Sequence, residues 1–354
     1  MAPAITGMLA VAVVTACTSS RHNGTDAQAS LQQRYESTIA GALPSVVEIK
    51  AGHSTGSGVV FDRHGDVVTN AHVVGAVKKF DVRISLDSKQ MKARLVGVFT
   101  PDDLAVIKVG KGAGTLRPVH WANSAKAHVG AIVLAMGSPL GLTDSVTQGI
   151  VSATGRTVAG PTISGHPPTV IVDAIQTSAA INPGNSGGAL VLLSGHVLGI
   201  PTLAARDPEM GNPAAGIGFA IPSNTVRSIS KQLIKTGKVT SSGRASLEIQ
   251  GETHVNSSGK PDGVTVVAEK PGGAAAKAGI KRDDVIAGIA DQATPDVEML
   301  ENTLVTFRPG QHVKVEVLRD GNPRQVIAKL GSLGSQSRPA ARGHSSPRPT
   351  RSHH

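Results

Sequence analysis

The sequence predicts a mainly β protein, a double barrel or sandwich followed by a small α+β unit, and three observations carry that prediction. Short Val/Ile-rich runs such as SVVEI, GVVF and DVVT recur between turns rich in Gly, Pro and Ser. Periodic helix is scarce before residue 223. The chain has 354 residues, 40% of them hydrophobic, with 41 Gly and 21 Pro, which suits two or three turn-rich domains each able to bury a core. Because only 2% of residues are aromatic, those cores must be built from Val, Ile, Leu and Ala.

Net charge is +10, but Arg338, Arg342, Arg348 and Arg351 supply four of those charges in an acid-free tail. The body is therefore mildly basic. With little aromatic interleaving and no nucleic-acid fold signature, a nucleic-acid partner is not expected. The single cysteine, Cys17, excludes an intrachain disulfide and a cysteine metal cluster. No HExxH, P-loop or internal repeat occurs. No metal or organic cofactor is implied.

Residues 1–20 carry no charged side chain, and the apolar run AVAVVTA ends at Cys17. The run is short for a membrane span but has the length of a signal-peptide core. Val14-Thr15-Ala16-Cys17 resembles a bacterial lipobox, in which the cysteine takes the lipid, although a positive segment before the apolar run is missing. A cleaved secretory segment, an uncleaved anchor and an unprocessed cytosolic end are the alternatives. The expected order is a signal/lipoprotein segment over 1–17, a linker over 18–40, a β domain over 41–238, a second β-rich unit over 246–331 and a disordered basic tail over 332–354.

Within the linker, 21–30 is polar and 31–40 could form one short helix. Ser223–Thr236 reads as the first clear helix, capped by Ser223 and ended by Gly237, with Val226, Ile229 and Leu233 on its buried face. In the second unit GVTVVAE (263–269) is a strand. AAAKAG gives a short helix ended by Gly279, and 297–305 gives another. Val313–Arg319 alternates as an edge-type strand before the turn Asp320-Gly321.

Chemistry concentrates in Asn182-Pro183-Gly184-Asn185-Ser186-Gly187-Gly188, a polar turn between the apolar runs VIVDAI and ALVLL. Such a turn can present a serine hydroxyl beside main-chain N–H groups able to meet a developing oxyanion. A serine nucleophile also needs a base, and the base an orienting acid. VVTNAHVV places His72 just after a buried strand, and Asp103 directly precedes the strand LAVIKV, with Asp102 the neighbouring alternative. Alone, each has a bland reading: a structural histidine, a turn aspartate and a Gly/Asn/Ser turn.

Together, TNAH, DLAVIKV and GNSGG resemble the trypsin-like serine proteases, and more closely the HtrA (Deg) family, through TNxHV, D-[IL]-A-[VL] and GNSGGAL. The resemblance extends over SGVVFD, GSPLGL, SVTQGIVSA and GIGFAIP, and over 246–331, which looks like a PDZ domain. It implies a chymotrypsin-like double β-barrel followed by a small α+β PDZ domain. It also implies a His72-Asp103-Ser186 triad, with Asp103 the acid because the family pattern sets it immediately before Leu-Ala. The oxyanion hole would be formed by the N–H groups of Gly184 and Ser186, with Asn185 between them. A substrate pocket walled by Ile181, Leu203 and Ala204 and a PDZ peptide groove at Leu247, Glu248 and Ile249 complete the implied sites.

The implied activity is an extracytoplasmic, ATP-independent serine endopeptidase cleaving unfolded or misfolded proteins. It would sit in the cell envelope through a lipid anchor or N-terminal segment, or be secreted. A homotrimer is expected, for which Tyr35 is the one aromatic in 18–45. Ser178 stands where the family has Asp, and Pro201 where it has Asn. These departures leave open a weakly active or inactive protease that binds unfolded chains like a chaperone. Glu248, in place of a PDZ glycine, would set a negative charge near a docking carboxylate.

Overall fold

The structure is a computed structural model that describes residues 22–84, 90–110, 112–138, 145–160, 169–182, 184–206 and 213–334. Cys17, Pro183 and the basic tail from 335 lie outside them.

The N-terminal helix α1 (His22–Ala42) is longer than the short helix expected over 31–40, since 22–30 joins it. Tyr35, Ile39 and Ala42 pack against the main core, and the Thr38 hydroxyl donates to Leu193 O at 3.0 Å. Once that end is pinned, helix propagates upstream residue by residue without a new nucleation cost.

Six strands close the first barrel: β1 (Val46–Ala51), β2 (Ser54–Val60), β3 (Asp66–Asn70), β4 (Lys79–Ile84), β5 (Gln90–Phe99) and β6 (Leu104–Val109). Their order around it is β1-β2-β3-β6-β5-β4. The single helical turn α2 (Ala71–Val74) follows β3. Six more strands close the second barrel in the order β10-β11-β12-β9-β8-β7. These are β7 (Ile132–Gly137), β8 (Ser145–Ala159), β9 (Val170–Thr177), β10 (Ala189–Leu192), β11 (Val197–Arg206) and β12 (Pro213–Pro222).

One apolar cluster runs through both barrels. It joins Val59, Val68, Phe99 and Leu104 of the first to Leu134, Met136, Ile200 and Ile221 of the second. The barrels thus meet along buried aliphatic surface, contributing roughly 25 cal/mol per Å².

Helix α3 (Ser223–Thr236) inserts Val226, Ile229 and Leu233 into that cluster, all fully buried. Gly237 ends it at φ 70, the left-handed conformation that a helix C-terminus favours. Ser223 does not cap it. Pro222 holds the capping position, and the Ser223 hydroxyl instead donates to Ala122 O at 2.8 Å.

The second unit contains β13 (Ala245–Ser246), β14 (Ile249–Val255), β15 (Pro261–Glu269), α4 (Ala274–Ala278), β16 (Val285–Ile289) and β17 (Gln292–Ala293). It continues with α5 (Val297–Val305), β18 (His312–Arg319), β19 (Asn322–Lys329) and β20 (Gly331–Ser332). Its main sheet runs β14-β15-β16-β18-β19. β18 is therefore an interior strand, not an edge. The chain turns at Asp320-Gly321, and β19 folds back to cover it over the full register His312↔Lys329 to Arg319↔Asn322. Asp296 caps α5, its Oδ1 accepting from Met299 N at 2.7 Å.

Candidate active site

β3 delivers the chain into α2, which carries His72. Gly75 ends that turn at φ 51, ψ −133, a conformation that side-chain-bearing residues avoid. Asp103 follows a 3-10 turn at Thr100–Asp102 and is itself left-handed, at φ 49, ψ 42. Aspartate tolerates that region better than most residues.

This backbone geometry aims both ends of Asp103 at α2. Its carbonyl accepts from Ala71 N at 3.0 Å and from Asn70 Nδ2 at 3.0 Å. Its Oδ1 accepts from His72 N at 3.0 Å, and its Oδ2 lies 2.8 Å from His72 Nδ1. Asp103 is fully buried, while the His72 side chain is 26% exposed. The acid is thus enclosed and the imidazole opens outward. An ionised carboxylate only accepts, so Nδ1 carries the proton and Nε2 keeps a lone pair.

A third donor reaches the same carboxylate: Thr202 Oγ1 to Asp103 Oδ2 at 2.5 Å. Thr202 lies on β11 where the pairing with β12 shifts register between Pro201 and Leu203. At such a bulge one strand holds an unpaired residue, and its groups can be re-aimed. The Thr202 hydroxyl turns to Asp103, and its carbonyl accepts from Ser186 Oγ at 3.2 Å. The serine hydroxyl therefore rests on Thr202 O, and His72 and Ser186 connect through Asp103 and Thr202. Sequence reasoning missed Thr202. The available signal was a buried hydroxyl residue between Pro201 and the strand positions assigned to the pocket.

The serine turn is held from several sides. Gly184 has φ 105 and Gly187 φ 82. A Cβ on Gly187 would collide with Ser57 O and Thr69 Oγ1. Asn185 N donates to Asn182 O at 3.0 Å, Gly187 N to Pro201 O at 3.0 Å and Gly188 N to Asn185 O at 2.9 Å. Asn185 is buried, its Nδ2 3.4 Å from Ala180 O. Among the described residues, the N–H groups of Gly184 and Ser186 have no acceptor, which leaves them available to an incoming oxygen.

Ile181 is buried in a core cluster of the second barrel, and its Cγ1 would stand 2.5 Å from a Cβ on Gly218. Leu203 pairs with Phe219 and Ala204 with Gly218 in the backbone register. The side chains of Leu203 and Ala204 lie outside the described residues. Ser178 is exposed and tied to β8, its hydroxyl accepting from Ile150 N at 3.0 Å and its N–H donating to Ile150 O at 3.1 Å.

In the second unit Leu247 is buried in the core and Ile249 packs half-buried against it. The Glu248 carboxylate lies 2.5 Å from Lys270 Nζ and accepts from Ala274 N at 3.0 Å. Its charge is thereby paired within the domain.

Beside the site, Asp102 is buried and its carboxyl is pushed up by burial, with Arg244 acting in the opposite direction. Among the described residues no cluster of His, Cys, Asp and Glu is placed to hold a metal ion. No described helix is long and apolar enough to cross a membrane.

The chain is similar to known proteins over most of its length. Residues 56–200 match the trypsin-like peptidase domain and residues 238–330 the PDZ domain. The periplasmic pH-dependent serine endoprotease DegQ of Escherichia coli is 34% identical over 333 residues, which is 92% of this chain and 70% of that protein. The serine protease Do-like HtrA of Lactobacillus helveticus is 37% identical over 292 residues, 78% of this chain and 68% of that protein. The crystal structure of the serine endoprotease from Yersinia pestis superposes with a TM-score of 0.56 at 32% identity, covering 84% of this chain and 98% of that one. The chain belongs to the HtrA (Deg) family of trypsin-like serine endopeptidases and carries a PDZ domain.

Proposed function

We propose that His72, Asp103 and Ser186 are the triad of this endopeptidase and that unfolded polypeptides outside the cytoplasm are its substrates. The observation that carries the proposal is the Asp103 carboxylate, which meets His72 at both N and Nδ1 and Thr202 at Oγ1. It holds the imidazole through Nδ1, which leaves Nε2 to act as the base.

In the first step the Ser186 hydroxyl leaves Thr202 O, rotates toward Nε2 and attacks the scissile carbonyl as His72 takes its proton. Asp103 stabilises the imidazolium. The N–H groups of Gly184 and Ser186 receive the negative oxygen of the tetrahedral intermediate. His72 then protonates the leaving amine, the peptide C–N bond breaks, and an acyl-Ser186 ester remains. Water, deprotonated by His72, hydrolyses that ester and regenerates the hydroxyl.

An extended chain can pair by its main chain along a cleft strand, which favours unfolded segments over folded ones. The extracytoplasmic setting is supported by the apolar segment ending at Cys17 and by the periplasmic relative. Lipidation of Cys17 and a homotrimer using the α1 end with Tyr35 belong to the same proposal. Residues 246–331, with Leu247, Glu248 and Ile249 at one end of β14, would form the peptide-binding PDZ unit.

One observation favours the second reading, a weakly active binder of unfolded chains: the Ser186 hydroxyl rests on Thr202 O at 3.2 Å. Labelling with a fluorophosphonate probe, together with degradation of casein and of a tightly folded protein, tests both. The proposal expects labelling and loss of casein, both abolished in Ser186→Ala, and survival of the folded protein in either case. Casein bound but not cut, with no labelling, supports the binder.

A further inference from the structure

We infer that Ser57 is a positioning residue for the oxyanion turn, acting on both residues that flank Asn185; the inference rests on the proposed role of Ser186. Ser57 lies on β2 of the first barrel and is fully buried. Its N–H donates to Ser186 O at 3.0 Å. Its hydroxyl donates to Gly184 O at 2.5 Å and accepts from Ser138 N at 2.8 Å. Its carbonyl accepts from Thr69 Oγ1 at 2.6 Å. One side chain of the first barrel thus joins the end of β7 to a turn 127 residues away.

The direction of the Ser57 hydroxyl is determined. A hydroxyl has one proton and two lone pairs. The Ser138 N–H points at a lone pair, so the proton is free to go to Gly184 O. That carbonyl belongs to the peptide joining Gly184 to Asn185, which lies between the two N–H groups proposed for the oxyanion. The Ser57 N–H holds the Ser186 carbonyl on the far side. Gly184, at φ 105, is where this turn would otherwise rotate most easily, because glycine resists neither sign of φ. The hydroxyl of Ser57 opposes that rotation, so it acts on where the Gly184 and Ser186 donors point and not on where the peptide substrate binds.

A plain structural staple would affect stability alone. A positioning role predicts a loss confined to the transition state. Ser57→Ala should lower kcat about 10- to 100-fold, the scale of a misplacement near 1 Å, with KM unchanged. A peptide boronate, which forms the tetrahedral adduct on Ser186, should lose affinity by the same factor as kcat/KM. Binding of the uncleaved peptide, read in a Ser186→Ala background with and without Ser57→Ala, should not change. Where Ser57→Ala fails to fold, Ser57→Cys, with a weaker donor on a small side chain, gives the same readouts.

A raised KM at constant kcat, or boronate affinity that does not move, overturns the inference. Wild-type protein that turns over beside an equally active Ser57→Ala overturns Ser57 alone. Wild-type protein that neither turns over nor labels with a fluorophosphonate overturns the triad reading and this inference with it.

Discussion

Arg244 Nη1 donates to Asp102 Oδ1 at 3.0 Å, so the residue that opens into β13 of the PDZ unit grips the neighbour of Asp103. The same nitrogen donates to Pro101 O at 2.9 Å and to Val170 O at 3.1 Å. The two side chains are 10% and 5% exposed, so this is a buried pair. Removing one partner of such a pair leaves the other desolvated and costs about 3–5 kcal/mol.

Arg244→Ala should therefore destabilise the chain on that scale at neutral pH, and the deficit should shrink as pH falls. Burial raises the Asp102 carboxyl above its ordinary range, and Arg244 opposes the rise. A carboxyl raised in the folded state holds its proton more tightly when folded. Its contribution to stability is complete below the unfolded pKa and is lost as pH rises through the folded value. Without Arg244 the folded value rises further. Urea unfolding of both proteins at pH 5 and pH 8 measures the effect; a deficit independent of pH counts against it.

Glu301 on α5 gives a second pH dependence. Burial pushes its carboxyl up to about 7, with Arg244 lowering it and Glu298 raising it. By the same sign, stability is lost as pH rises from the ordinary glutamate range through about 7. Glu301→Gln should flatten that segment of the stability–pH curve by up to about 3 kcal/mol, less whatever solvent screening removes. Thermal unfolding of both proteins between pH 5 and pH 8 reads it directly.

Thr202→Val keeps the shape of the side chain and deletes the donor to Asp103. The expected loss in kcat is about tenfold, the value of one hydrogen bond to a charged group, with KM little changed. Steady-state kinetics across pH 5 to 9 would reveal it; an unchanged kcat would mean that His72 is held without Thr202.

Ser186→Ala and His72→Ala should each remove most proteolysis, and the double variant should be no slower than either, since the groups act as a unit. Casein turnover at high enzyme concentration decides this. A double variant slower by the product of the single effects would mean that the two side chains work separately.

P1 preference should be for Val, Ala, Ile or Leu. Ile181 is buried with Cγ1 against Gly218, which leaves little room beside β12 for an aromatic ring. Discrimination among the aliphatics should be loose, since a methylene is worth only about 1–3 kcal/mol. Mapping cleavage sites in a denatured protein by mass spectrometry tests this; a majority of cuts after Lys, Arg or Phe would place the pocket elsewhere.

The sequence by itself determined the fold class and the positions where chemistry gathers. Alternating and continuous Val/Ile runs define strands because side-chain period and burial are local properties. His72, Asp103 and Ser186 stand out because each borders such a run. Helix α3 was legible to the residue, since its apolar spacing and Gly237 are local signals. The capping role expected of Ser223 was not, because its hydroxyl found Ala122 O, 101 residues away.

Only the tertiary structure decided which groups hold the site. Thr202 meets Asp103 across 99 residues, Ser57 meets Gly184 across 127, and Arg244 meets Asp102 across 142. The packing of the first barrel against the second and against Arg244, with the register shift at Pro201–Leu203, creates these contacts. Pairing with β19 in the open sheet of the second unit likewise decides that β18 is not an edge. A hydrogen bond needs its two atoms near 3 Å with aligned axes, and nothing in the local pattern of a buried serine, threonine or arginine states which distant atom will arrive there.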